Sequence, residues 1–269
     1  MFKQSFMILV FLVWPGVARG ESYVFSAPPA ENRTDSNKIY QPLARFMSEV
    51  SGKNIVFKYS GNWVNYIRDM QNDSYDFVID APHFVSWRIE KIEHRPIISL
   101  SRELSYVVVV PDNARIRTLQ QLQGKAVCSS NIPNIDALTI LDQFASIWSQ
   151  PSIRGVKGKS NIFQQMIDSQ CSAAILPEKL YAALSVSGIF PATRILFKSY
   201  ALPHYALSVS PRVNTDLADV ITEALLSEDA DDAFFEINQE FGLQHSSRIP
   251  VDGDIYRGYA YLLSEYWGF

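Results

Sequence analysis

The chain has 269 residues, 47% of them hydrophobic and 19% charged, a composition that argues against a disordered polymer and is enough for one large domain or two moderate lobes. Its 24 basic residues face 28 acidic ones. Setting aside Lys3 and Arg19 with the leader described next leaves 22 against 28, a net charge near −6 that argues against nucleic acid or an anionic membrane as the main partner.

The opening stretch, MFKQSFMILVFLVWPGVARG, sets Lys3 ahead of an apolar run from Phe6 to Trp14 and then places small residues at Ala18 and Gly20. This is the pattern of a secretory signal peptide, with cleavage expected after Gly20. The apolar run is shorter than the roughly 20 residues a spanning helix needs. No cysteine stands at the cleavage site to carry a lipid, so a soluble mature protein is expected.

SYVFSAPPAE then reads as a strand entering a proline-marked loop. A helix is expected from about Asn37 to Val50, where Ile39, Leu43, Phe46, Met47 and Val50 recur at helical spacing. NIVFKYS is the next strand, NWVNYIRDMQND the next helix and YDFVID the third strand. This β-α-β-α-β order, with short apolar strands, implies a parallel sheet covered by helices. Asp80 to Phe84 is expected to be a strand-end loop facing a cleft, with Pro82 suited to the first turn of the following helix.

RPIISLSRELSYVVVVPDN breaks the rhythm with two strand-like runs and no helix between them, as where a chain leaves one sheet for another. Alternation resumes with a strand ending at Cys128, a helix from about Asn134 to Ser149, a short strand near Ile153 to Val156 and a helix from Asn161 to Ser169. The strand SAAIL and a helix from Glu178 to Leu184 follow, and RILFKSYALPHYALSVSP supplies a return crossing. Helices are expected from near Thr215, Asp231 and Asp254.

The arrangement implied is α/β with two lobes and two crossing strands, residues 21–110 plus 205–269 forming the first lobe and 111–204 the second. A ligand site would lie in the cleft at the carboxyl ends of the strands. Export makes a disulfide between Cys128 and Cys171 possible. If these residues end one strand and begin a parallel neighbour, however, their sulfurs lie on the order of 10 Å or more apart. Two buried free thiols are therefore the expectation.

Together, SAPPAENRTD, PLARFMSEVSGKNIVF, YDFVIDAP, LQQLQGKAVCSS and IFQQMIDSQCSAAILPEKL resemble, in order and spacing, the periplasmic phosphate/phosphite/phosphonate-binding proteins, receptor components of ABC transporters. The resemblance implies a type II periplasmic-binding fold, each lobe a mostly parallel sheet flanked by helices. Where such proteins carry a Ser-Thr-Ser-Gly-like loop for phosphoryl oxygens, this chain reads CSSNIPNIDA. Ser129, Ser130 and Asn131 would then meet the oxyanion, or Asn134 would cap the next helix and present its amides, because an oxyanion needs several convergent donors. A plain cap without ligand is the rival.

Lys159 and Ser160 open a helix where the family often places polar contacts. Glu178 would select an amine or hydroxyl, or simply stabilise its own helix start. Asn62 and Trp63 stand where the family often has an aromatic lid, and His83 and Phe84 follow the third strand. Aromatic walls suit an organic substituent, with core packing the competing role for Trp63 and Phe84 and surface or capping duty for His83. Pro29, Ala30 and Glu31 are placed at the cleft by the resemblance alone.

His83, His94, His204 and His245 are scattered, which does not suggest a metal site, and no catalytic motif or cofactor signature is present. The expected function is a monomeric periplasmic receptor that captures a small phosphonate- or phosphate-like anion and delivers it to the membrane permease of an ABC transporter. A partner of a membrane sensor is the alternative, and an enzyme on the same scaffold the weaker one.

Overall fold

The computed structural model describes residues 22–186, 191–243 and 248–264, so the expected signal peptide and His245 lie outside the described residues. Strand β1 (Ser22–Ser26) leads through a loop to helix α1 (Arg33–Ser51). The helix starts four residues before the expected Asn37 because Asn32 caps it, its side chain accepting the Asp35 amide at 3.0 Å. Ile39, Leu43, Ala44 and Met47 form its buried face. Strand β2 (Asn54–Phe57), helix α2 (Trp63–Gln71), strand β3 (Phe77–Asp80), helix α3 (Pro82–Ile92) and strand β4 (Arg95–Ser99) follow.

Strand β5 (Glu103–Leu104) leaves this unit and β6 (Tyr106–Pro111) enters the next. There β7 (Ala126–Ser129), α4 (Ile135–Leu141), β8 (Ser152–Gly155), α5 (Lys159–Ile167), β9 (Ala173–Pro177), α6 (Glu178–Val186) and β10 (Thr193–Lys198) succeed one another. The return runs through β11 (Leu202–Pro203) to β12 (Ala206–Val209), then α7 (Thr215–Leu226), α8 (Asp231–Phe241) and β13 (Ile249–Pro250).

Two larger sheets result, a six-stranded one ordered β13-β4-β12-β3-β1-β2 and a five-stranded one ordered β10-β6-β9-β7-β8. Both are mixed rather than mostly parallel. β1 runs parallel to β2 and β3, and β7 to β8 and β9. β6 and β12, the first strands after each crossing, run antiparallel to their neighbours. The crossings pair with each other as the two-stranded ribbon β5-β11.

Three local expectations are corrected. Helix α4 stops at Leu141 rather than Ser149, because Ile147 (61% exposed) and Trp148 (84% exposed) do not continue its buried face. Near Asp254 the chain forms short 3-10 turns at 253–256 and 259–263, separated by Gly258 at φ +89°. Cys128 and Cys171 are joined by a disulfide. Cys171 lies in a bend before β9 rather than in the strand, so although Cys128 aligns with Ala174, the two Cα atoms are 5.6 Å apart. The bridge sits in an apolar cluster beneath α5 with Phe163 and Met166.

Asp80 to Phe84 is not a cleft loop, since α3 begins directly at Pro82. Asp80 and Arg88 are fully buried and pair at 2.6 Å, and the Tyr66 hydroxyl donates to the other Asp80 oxygen at 2.5 Å. Burial raises the Asp80 carboxyl above its ordinary value, although Arg88 opposes the shift. The strand thus ends in a buried ion pair that fastens α3 to the sheet. Among the described residues no helix is long and apolar enough to cross a membrane.

Candidate functional site

One small cavity lies where strand-end loops and helix starts of the two sheets meet. The loop after β1 contributes Pro28, Ala30 and Glu31, and α1 contributes Ile39 and Tyr40. The second sheet and its loops supply Tyr106, Ser130, Asn134, Asp136 and Lys159. Tyr205, just before β12, and Ile237, Glu240 and Phe241 of α8 complete the wall. The space open to a water centre is about 20 Å³, room for one or two waters, so the cavity is nearly shut.

Charged groups close it from both sides. Glu31 Oε1 accepts the Gly158 amide at 3.1 Å, and Lys159 Nζ lies 3.3 Å from Glu240 Oε2 and 4.6 Å from the centre of the Phe241 ring. Burial raises the Glu31 carboxyl above its ordinary value; Lys159 opposes the shift and Glu240 reinforces it. Asp136 Oδ2 accepts both the Ser129 hydroxyl and the Ser130 amide at 3.1 Å. Asp136 is 4% exposed, and its Oδ1 has no hydrogen-bond partner among the described residues. Burial holds the phenols of Tyr106 and Tyr205 well above their ordinary value, with Asp136 adding to both shifts.

Of the residues singled out from sequence, the cavity brings together Ala30, Glu31, Ser130, Asn134 and Lys159. Ser129 stands behind them, bound to Asp136. Pro29 is buried but does not line the cavity, where its neighbour Pro28 does, and Asn131 and Ser160 are exposed outside the lining. Asn134 precedes α4 without capping it, because its side-chain Nδ2 donates backward to the Asn131 carbonyl at 2.6 Å.

The others lie elsewhere. Glu178 faces a second cavity of about 510 Å³ beside the crossing ribbon, where Lys198 at 2.7 Å and Ser105 at 2.5 Å hold its carboxyl below its ordinary value. Asn62 caps α2 by accepting the Asn65 amide at 2.9 Å. Trp63 stacks on Phe84 with ring centres 5.8 Å apart, and both belong to the core. His83 is fully buried, and its Nε2 lies 2.9 Å from the Pro133 carbonyl. Burial pushes its pKa down to about 3, so it is a neutral N–H donor bridging α3 to the Ser129–Asn134 loop.

Tyr40, Tyr106, Asp136, Tyr205, Glu240 and Phe241 were not anticipated. Asp136 had a visible signal, an acid six residues after Ser130 in the first turn of α4. Tyr40 and Glu240 read as ordinary members of amphipathic helices. Among the described residues no cluster of three metal-ligating side chains occurs.

The sequence matches, over residues 25–254, a family described as the periplasmic substrate-binding proteins of phosphonate ABC transporters. No curated protein matches it. Among solved structures the chain is similar to PhnD1 from Prochlorococcus marinus in complex with methylphosphonate, with a TM-score of 0.69 and 11% identity over 91% of this chain and 97% of that one. It is also similar to a binding protein component of an ABC phosphonate transporter from Pseudomonas aeruginosa, with a TM-score of 0.67 and 11% identity over 88% and 83%. A third likeness is to XAC2383 from Xanthomonas citri bound to chloride, with a TM-score of 0.64 and 14% identity over 91% and 99%. At such identities the structural likeness establishes the type II periplasmic-binding fold, and the sequence match establishes the lineage. The chain belongs to the family of periplasmic substrate-binding proteins of phosphonate ABC transporters and is a solute-binding receptor.

Proposed function

We propose that the chain, once residues 1–20 are removed as an export signal, acts as a monomer that traps one small solute in the cavity between its sheets and presents it to a membrane permease. The six-stranded sheet with its helices would move as one half and the five-stranded sheet, from β6 to β10, as the other, so that the hinge falls at the β5-β11 ribbon rather than at the expected breaks after residues 110 and 204. The observation that carries the reading is the pair of contacts spanning the cavity, Glu31 to Gly158 and Lys159 to Glu240. Each joins an element of the first sheet's unit to α5 or its N-terminal flank. The groups that hold the shut form are thus the ones a captured solute would meet, which is how closure and binding become coupled.

The family likeness suggests a phosphonate- or phosphate-like anion. The lining sets three carboxylates, Glu31, Asp136 and Glu240, against the single cation Lys159, and that balance does not favour a simple oxyanion.

Small-angle scattering tests the closure. The double variant Glu31→Ala/Lys159→Ala removes both spanning contacts, and its radius of gyration should exceed that of the wild type while circular dichroism stays unchanged. Superimposable scattering profiles would remove the clamshell reading.

A further inference from the structure

Resting on the receptor reading, we propose that the solute this cleft selects carries a primary ammonium group, accepted by Asp136 Oδ1 and neutralised by Asp136 and Glu31, and that simple oxyanions are excluded.

The donor loop provides the first argument. A site for a phosphoryl group needs free N–H and O–H donors, yet the Ser129 hydroxyl and the Ser130 amide both point at Asp136 Oδ2. The chain's own carboxylate occupies these donors. An incoming oxyanion would have to displace it and then sit beside it, and like charges at such range repel strongly in a buried setting. The Gly158 amide is similarly taken by Glu31, and Lys159 is engaged by Glu240 and the Phe241 ring.

The unfilled valence provides the second. Asp136 lines the cavity, and its Oδ1 is buried and without a partner among the described residues. A buried carboxylate oxygen left unpaired is costly, and the groups that remedy it are N–H or O–H donors, best of all charged ones. An ammonium both donates to Oδ1 and offsets the excess of carboxylates, Glu31, Asp136 and Glu240, over the single cation Lys159 in the lining. The rings of Tyr40, Tyr106, Tyr205 and Phe241 add faces that favour a cation. A quaternary ammonium would enjoy those faces but cannot donate, so Oδ1 argues for the primary amine.

Isothermal titration of the purified protein tests this with ethanolamine and putrescine as amines, choline as the cation without a donor, and phosphate and methylphosphonate as anions. At least one amine should bind, choline should bind at least tenfold more weakly, and the anions should give no heat. Asp136→Asn keeps the shape and should lower amine affinity roughly tenfold or more, the loss expected for a charge-assisted hydrogen bond. If that variant fails to fold, Glu31→Gln should weaken amine binding in the same direction. Choline binding as well as the amines overturns the assignment to Oδ1. Phosphate or methylphosphonate binding without any amine response overturns the cationic class and leaves the receptor reading standing. Silence in every arm overturns both.

Discussion

The disulfide between Cys128 and Cys171 makes a quantitative prediction. It closes a loop with a sequence separation of 43 residues, enclosing α4, β8 and α5. Restricting such a loop in the unfolded chain is worth about 4 kcal/mol at 25 °C on the chain-entropy account. The double variant Cys128→Ala/Cys171→Ala should therefore lose about 4 kcal/mol of unfolding free energy in urea, with a steeper denaturant dependence because the freed chain exposes more surface. Both cysteines lie in the apolar cluster beneath α5 rather than in the cavity lining, so solute affinity of the folded variant should be unchanged. A loss below about 1 kcal/mol would refute the assignment of this stability to the bridge.

Further outcomes follow from buried charge and tight packing. Arg88→Met leaves Asp80 unpaired in the core and should cost about 3–5 kcal/mol in chemical denaturation, most of it recovered in Asp80→Asn/Arg88→Met; equal losses in single and double variants would show that the charge is not the cause. Glu31 has a raised pKa, so its proton contributes stability at acid pH that is lost as pH rises past the group's ordinary value of 4.5 and through its higher folded value. Glu31→Gln keeps an acceptor for Gly158 and should raise the ligand-free melting temperature at pH 7 relative to the wild type, with the difference vanishing toward pH 4. A variant that melts lower at pH 7 would contradict this. Gly242 sits at φ +64° with room for no side chain, since a Cβ there would lie 2.7 Å from the Leu180 amide nitrogen; Gly242→Ala should cost roughly 1–3 kcal/mol by thermal melting, and a neutral result would mean α8 and α6 are not in close register.

The two-sheet plan was legible because strands such as YDFVID and SAAIL are short, apolar and separated by helices of clear period, and because RPIISLSRELSYVVVVPDN lacks a helix. Strand direction was less so. β6 and β12 pair with strands distant in sequence, and nothing local reveals whether such a pairing is parallel. At the site, Lys159 and Ser130 could be located because each stands at a strand-to-helix junction. Trp63, His83 and Phe84 were drawn toward the cleft by their aromatic character, whereas Asp80 reaches Arg88 two helical turns on and commits that segment to the interior. Glu240 and Tyr205 could not be found by pattern, since each reaches the cavity only through the return crossing and the packing of α8. Asp136 reads as an ordinary acid in the first turn of α4, and its capture of the Ser129 and Ser130 donors depends on the turn through Pro133.

The ribbon formed by β5 and β11 pairs only two residues from each strand. So brief a joint offers little torsional resistance, and swinging one half against the other would spare all remaining ladders. The free energy separating gaping from sealed conformers would then reside along the seam, in contacts such as His83 to Pro133, each worth on the order of 1 kcal/mol. A receptor so constructed can have its threshold reset by exchanging seam residues that never touch the cargo.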